Sequence, residues 1–93
     1  MNAQPVHSIA FDRSAQVLAA GCDDGVVRVL DAGGGGLAMM ASLRGHEDAV
    51  QAVAFDPTAQ YLVSAGSDAT VRIWSEGVIK GAGLGDGGGG VGT

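Results

Sequence analysis

The strongest constraint on this chain is an internal repeat. Residues 6–31 read VHSIAFDRSAQVLAAGCDDGVVRVLD and residues 50–75 read VQAVAFDPTAQYLVSAGSDATVRIWS. The two segments align without a gap at an offset of 44 residues, with ten of twenty-six positions identical. The identities are Val6/Val50, Ala10/Ala54, Phe11/Phe55, Asp12/Asp56, Ala15/Ala59, Gln16/Gln60, Leu18/Leu62, Asp24/Asp68, Val27/Val71 and Arg28/Arg72. Most other pairs are conservative, such as Ile9/Val53 and Val29/Ile73. A period of roughly 20–50 residues marks chains built from stacked copies of one supersecondary unit, none of which can bury its apolar face alone.

Each unit reads as strand, turn, strand, turn, strand. In the second unit, 50–55, 61–65 and 70–74 are short apolar or β-branched runs. Asp56-Pro57-Thr58 and Gly66-Ser67-Asp68-Ala69 between them carry turn chemistry. In the first unit the runs are 6–11, 17–20 and 26–30, with the turn Cys22-Asp23-Asp24-Gly25. Asp-Gly between two β runs is a strong hairpin signal. Between the units, glycines 33–36 form a loop, and 37–43 fits helix or strand by periodicity alone. Context favours a fourth, outer strand there, against the helix propensity of its alanine and methionine.

The 93-residue chain allows one small domain at most. From Gly77 onward it reads GVIKGAGLGDGGGGVGT, a composition expected of flexible coil. The net charge is −5, and the five basic residues are never adjacent. That pattern argues against a nucleic-acid footprint, which needs clustered basic charge, and against anionic membrane surfaces. Cys22 is the single cysteine, so there is no internal disulfide framework. The start MNAQPVHSIAF lacks the basic and apolar regions of a secretory signal. No apolar run approaches the length of a membrane-spanning helix. An intracellular, reducing compartment is the expectation.

In these residues the chain resembles the WD-repeat family. Such repeats have a period of roughly 40–45 residues, a Gly-His dipeptide and a closing Trp-Asp. Here Gly45-His46 is followed 28 residues after the histidine by Trp74-Ser75, with Ser in place of Asp. The string LVSAGSDATVRIW (62–74) is similar to the strand–turn–strand core of such a repeat. LAAGCDDGVVRVLD (18–31) is similar to the same core with Leu30 in place of Trp. The resemblance implies an all-β fold, an incomplete WD-repeat β-propeller of about two blades of antiparallel strands. It divides the chain into an extension at 1–5, a degenerate first blade at 6–44, a second blade at 45–76 and the glycine-rich tail at 77–93. It also implies a structural hydrogen-bond tetrad of His46, Ser64, Asp68 and Trp74. The first repeat keeps only Asp24 of that set, as a turn residue, because Ala20 and Leu30 replace two members and no Gly-His precedes it. Its blade is expected to be held mainly by apolar packing.

Catalytic and metal readings fail on spacing. A zinc-protease helix needs a second histidine four residues after His46, where Val50 stands, and His7 stands alone on a strand. Glycines 33–36 lack the Gly-Lys-Ser/Thr of a phosphate loop. Asp23 and Asp24 lack the further oxygen ligands of a calcium loop. Cys22 has no activating neighbour in sequence, and Arg28 and Arg72 occupy equivalent positions, which favours a structural or solvent-facing role. No catalytic residue, metal or cofactor is expected, and the chain is read as no enzyme. The resemblance implies protein partners, with a candidate partner-binding face of Glu47, Asp48, Ser67, Ala69, Asp23 and Gly25.

A narrower resemblance runs through LRGHEDAVQAVAFDPTAQYLVSAGSDATVRIW. It is similar to the N-terminal propellers of replisome adaptors that link DNA polymerase alpha to the replicative helicase, which implies a nuclear protein. The parts of those adaptors known for partner docking lie outside anything this chain contains. Propellers close with about four to eight blades, so two blades leave outer apolar faces exposed. Three readings stay open: part of a longer scaffold, for instance a replication adaptor or a ubiquitin-ligase substrate adaptor; copies that self-associate to close a ring; and a truncated product without independent activity.

Overall fold

The two copies of the repeat become two antiparallel sheets. The computed structural model describes residues 4–34, 36–58, 60–75 and Ile79. Its strands are β1 (Val6–Phe11), β2 (Val17–Cys22), β3 (Val26–Asp31), β4 (Ala38–Arg44), β5 (Val50–Phe55), β6 (Tyr61–Gly66) and β7 (Val71–Ser75). They form a four-stranded sheet in the order β1-β2-β3-β4 and a three-stranded sheet in the order β5-β6-β7. The fold is all-β, with the strands of each sheet meandering as in propeller blades. Segment 37–43, ambiguous by periodicity, falls from Ala38 onward in the edge strand β4 (Ala38–Arg44), paired with β3. Of the segment expected to be a flexible tail, only Ile79 lies among the described residues, and it is 3% exposed within the core.

The repeat extends to the pairing register. Val6 pairs with Cys22, Ser8 with Gly21, Ile9 with Ala20, Ala10 with Ala19 and Phe11 with Leu18. Adding 44 to each number gives the pairing of β5 with β6, including the irregularity between Val6 and Ser8 that recurs between Val50 and Ala52. This register carries β2 two residues past its apolar run, to Cys22, because Val6 reaches that far. Strand β7 starts at Val71, one residue late, because the N–H and hydroxyl of Thr70 are bonded to Asp68 in the turn.

Aspartates shape the first turn of each blade. Asp12 Oδ1 accepts from the N–H groups of Gln16 and Val17, and Oδ2 from the Ser14 hydroxyl. Asp56 does the same with the N–H of Tyr61 and the hydroxyl of Thr58. Short polar side chains that bond nearby backbone in this way favour turns over continued strand. Burial alone would raise the Asp12 carboxyl. The bonds from Val17, Ser14 and Gln16 outweigh it and hold the group below its usual range.

The core lies between the sheets. Ala19, Val27, Val29, Ala41 and Leu43 of the first blade meet Val50, Val53, Leu62 and Trp74 of the second. Val27, Val29, Leu43, Val50, Leu62 and Trp74 are fully buried. Gly21 permits the closest approach, since a Cβ there would stand 2.7 Å from Val50 Cγ1. Across the blades, the N–H of Val53 donates to Ser8 Oγ at 3.2 Å.

Gly25 and Ala69 hold equivalent turn positions, both in the left-handed region, at φ 83° and 67°. At Gly25 a Cβ would also stand 2.7 Å from the carbonyl oxygen of His46. Gly25→Ala is therefore expected to cost roughly 1–3 kcal/mol from backbone strain alone, and more from the clash. Ala69→Gly relieves the same strain and is expected to stabilise by up to about 1 kcal/mol. Urea unfolding followed by circular dichroism checks both, and equal effects of the same sign would contradict the assignment.

Candidate functional site

Four side chains from four segments meet in the second blade. His46 enters from the β4–β5 loop, Ser64 from the middle of β6, Asp68 from the β6–β7 turn and Trp74 from β7. Trp74 is opposite Leu62 in the ladder, and Ser64 is opposite Arg72. These side chains project to the face that meets the first blade. Trp74 Nε1 donates to Ser64 Oγ at 2.9 Å, and Ser64 Oγ lies 2.7 Å from His46 Nε2. His46 Nδ1 lies 3.1 Å from Asp68 Oδ1. Trp74 and Ser64 are fully buried, and His46 is 8% exposed.

Donor and acceptor counting assigns the protons. An indole N–H can only donate, so the Ser64 oxygen accepts from Trp74 and sends its own proton to His46 Nε2. His46 then carries its proton on Nδ1 and donates it to the Asp68 carboxylate. Asp68 also accepts from the backbone N–H of Glu47 at 2.9 Å and from the Thr70 hydroxyl at 2.8 Å. The Glu47 N–H is the largest cause holding the Asp68 carboxyl well below its usual range, with Thr70 and His46 adding to it against burial. Every polar group of the set has a partner, as buried polar groups require. Thr70 was not singled out in the sequence. Its signal was a hydroxyl residue two positions after a turn aspartate.

The first blade solves the same turn with a different partner. Asp24 takes Arg28 in a two-pronged ion pair, with Nη1 to Oδ1 at 3.0 Å and Nη2 to Oδ2 at 2.8 Å. The Asp24 hydrogen bonds hold the guanidinium more basic than usual, and the same pair lowers the Asp24 carboxyl. The Arg28 guanidinium also neighbours the Cys22 thiol, a proximity not visible in sequence order. In the second blade Arg72, the equivalent arginine, stands beside Gly45 and Trp74, and its Nε is buried without a hydrogen-bond partner.

The structure gathers the sequence-predicted partner face at one end of the blades. The loop Glu47–Asp48 crosses over the β2–β3 turn, where Gly25 packs against the backbone of His46 and Asp48. Ser67 donates its N–H to the carbonyl of Ala49, and its hydroxyl accepts from Gln51 Nε2 at 2.7 Å. Asp23 meets His7 Nε2 at 2.9 Å. Asp23, Glu47, Asp48, Ser67 and Ala69 are exposed. Gly25 is buried, which corrects its inclusion in a contact surface: the loop bearing Glu47 and Asp48 lies on top of it. Among the described residues no group of three His, Cys, Asp or Glu side chains could hold a metal ion. None of their helices is long and apolar enough to cross a membrane.

Two antiparallel blades, one braced by a buried Trp–Ser–His–Asp chain, define a propeller-type repeat protein. The family described as WD domain, G-beta repeat matches residues 2–31 and 38–75, and the chain belongs to that family. Domains of this family generally bind other proteins as scaffolds. Solved structures match widely, with 552 chains alike, so this likeness carries the fold and no particular partner. One of them, Sqt1 from Saccharomyces cerevisiae, is 17% identical with a TM-score of 0.73. The match covers 77% of this chain and 19% of Sqt1. No curated protein matches by sequence.

Ser64→Ala strands both the Trp74 indole N–H and His46 Nε2. The expected cost is roughly 2–6 kcal/mol, about 1–3 for each of the two buried groups left unpaired, measured by chemical denaturation. Asp68 contributes a pH dependence. Its folded carboxyl lies below the unfolded value near about 3.9, so the folded state binds fewer protons and gains stability as pH rises. That contribution is complete above about pH 5 and is lost as pH falls through the range below about 4. The gap in thermal midpoint between wild type and Asp68→Asn is therefore expected to be widest at neutral pH and to narrow on acidification.

Proposed function

We propose that this chain is a non-enzymatic protein–protein interaction scaffold whose partner face is the acidic turn end bearing Asp23, Glu47, Asp48, Ser67 and Ala69. The observation that carries the reading is the construction of that end. Glu47 and Asp48 are exposed, yet their loop is held by backbone and side-chain bonds to Asp68 and Ala49 N–H and rests on Gly25. Charges presented on a pre-organised loop lose little freedom on binding, which favours recognition. Their sign suits a basic partner surface, and the net charge of −5 disfavours nucleic acid.

Within that reading, the partner class we propose is a nuclear DNA-replication assembly. Its support is the likeness of residues 43–74 to the propellers of adaptors between DNA polymerase alpha and the replicative helicase. Titration of the purified chain against each of these two proteins tests it. Binding that weakens at least tenfold in Glu47→Lys/Asp48→Lys is the expected result. Undiminished binding by that variant would contradict the acidic end as the contact face. Absence of binding to both proteins would contradict the replication role.

A further inference from the structure

The two apolar faces left open on this blade pair are the two halves of the interface that the chain already makes inside itself. In each sheet the register sorts the side chains into rows. Ala10, Ala19, Val29 and Ala41 form one row of the first blade and face the second, where Ala19 and Val29 are fully buried. The equivalent row of the second blade, 44 positions on, is Ala54, Val63 and Ile73. It faces away from the first blade, and Ile73 is 40% exposed. Conversely, Phe55, Leu62 and Trp74 form the second blade's inner row, with Leu62 and Trp74 fully buried. Their equivalents Phe11, Leu18 and Leu30 lie on the first blade's outer face, where Phe11 and its neighbour Ile9 are 52% and 61% exposed.

We infer that the occupant of each open face is a second copy of this chain, docked head to tail. The Ile9–Phe11 face of one copy would cover the Tyr61–Ile73 face of the next, repeating between chains the contact of blade one with blade two. What argues for a copy is continuity with the interface inside the chain: the same pairing register supplies both open faces. The row positions of the second blade's outer face, Ala52, Ala54, Tyr61, Val63, Ala65, Val71 and Ile73, include no charged residue. An interface between unlike faces is heterologous, so it closes into a ring when the rotation allows. Two to four copies would supply about four to eight blades, the range in which propellers close. The contact between copies is looser than the one within a chain. Where Gly21 admits Val50, the equivalent Ala65 already carries the Cβ that would stand at 2.7 Å, and its counterpart on the copy is Val6. Association is therefore concentration-dependent. The inference stands apart from the acidic partner face.

Sedimentation velocity on the full chain tests it, with Ile9→Glu and Ile73→Glu as variants at exposed positions. Wild type is expected to form a discrete species of two to four copies as concentration rises. Each variant alone is expected to stay monomeric, with association weakened more than tenfold, because each lacks one half of the interface. Mixed in equal amounts, the two variants are expected to form a one-to-one complex and nothing larger, since one intact half survives on each. A wild type that is monomeric throughout, a variant that associates by itself as wild type does, or a mixture that stays monomeric would each overturn the inference. Should circular dichroism show either variant unfolded, Phe11→Lys and Tyr61→Lys, which alter the same two faces at 52% and 47% exposed positions, take their place.

Discussion

The indole N–H of Trp74 is the constraint on which the second blade depends. It lies in a fully buried ring, and the Ser64 hydroxyl accepts it. A buried donor without a partner is costly, and the Ser64 oxygen that satisfies this one leaves its own buried proton in need of an acceptor. That proton goes to His46, which ties the β4–β5 loop to the middle of β6. His46 in turn needs Asp68, which ties the same loop to the β6–β7 turn. The chain of bonds thus joins four segments across 28 residues of sequence. The loop it fixes covers Gly25, so one buried polar network in the second blade also seats the first blade's turn.

The first blade has no such network, and its chemistry follows from that loss. With Leu30 and Ala20 in place of the tryptophan and serine, its outer face holds no buried polar side chain among the described residues that demands a partner from another segment. Asp24 is left to a local pairing with Arg28 four residues on, an ion pair with about a quarter of each side chain exposed. Such a pair contributes little stability, typically about 1 kcal/mol or less. The first blade therefore relies on the apolar row of Ala19, Val27, Val29, Ala41 and Leu43, which the second blade covers. Its own outer face is open, with Ile9 and Phe11 exposed beside the Arg28–Asp24 pair. The two repeats differ in what they hold inside, and that difference gives the pair a direction.

Strands, turns and pairing order were legible in the sequence because two copies at a fixed offset allow each to check the other. The outer strand β4 was legible only through context, since Ala38, Met39 and Met40 carry no strand signal of their own. The tetrad came from a family resemblance at Gly45-His46 and Trp74. Thr70 and the Asp24–Arg28 pair did not, because both are consequences of turn geometry that spacing alone does not display. Gly25 was misplaced on the surface for a related reason. Its Asp-Gly signal identifies a turn, and turns are generally exposed, but the loop that covers it comes from the other repeat, more than twenty residues away. Burial created between repeats is the part of this fold that sequence reading misses.

The most direct test is which ring nitrogen of His46 carries the proton, read from the nitrogen shifts of its ring by long-range proton–nitrogen correlation. The bond chain requires a protonated Nδ1 facing Asp68 and a bare Nε2 accepting from Ser64. That tautomer, together with a shifted Trp74 indole proton, is the predicted result. A proton on Nε2 instead of Nδ1 would contradict it, because the Ser64 hydroxyl would then have no acceptor at His46 and the Asp68 carboxylate would face a bare Nδ1.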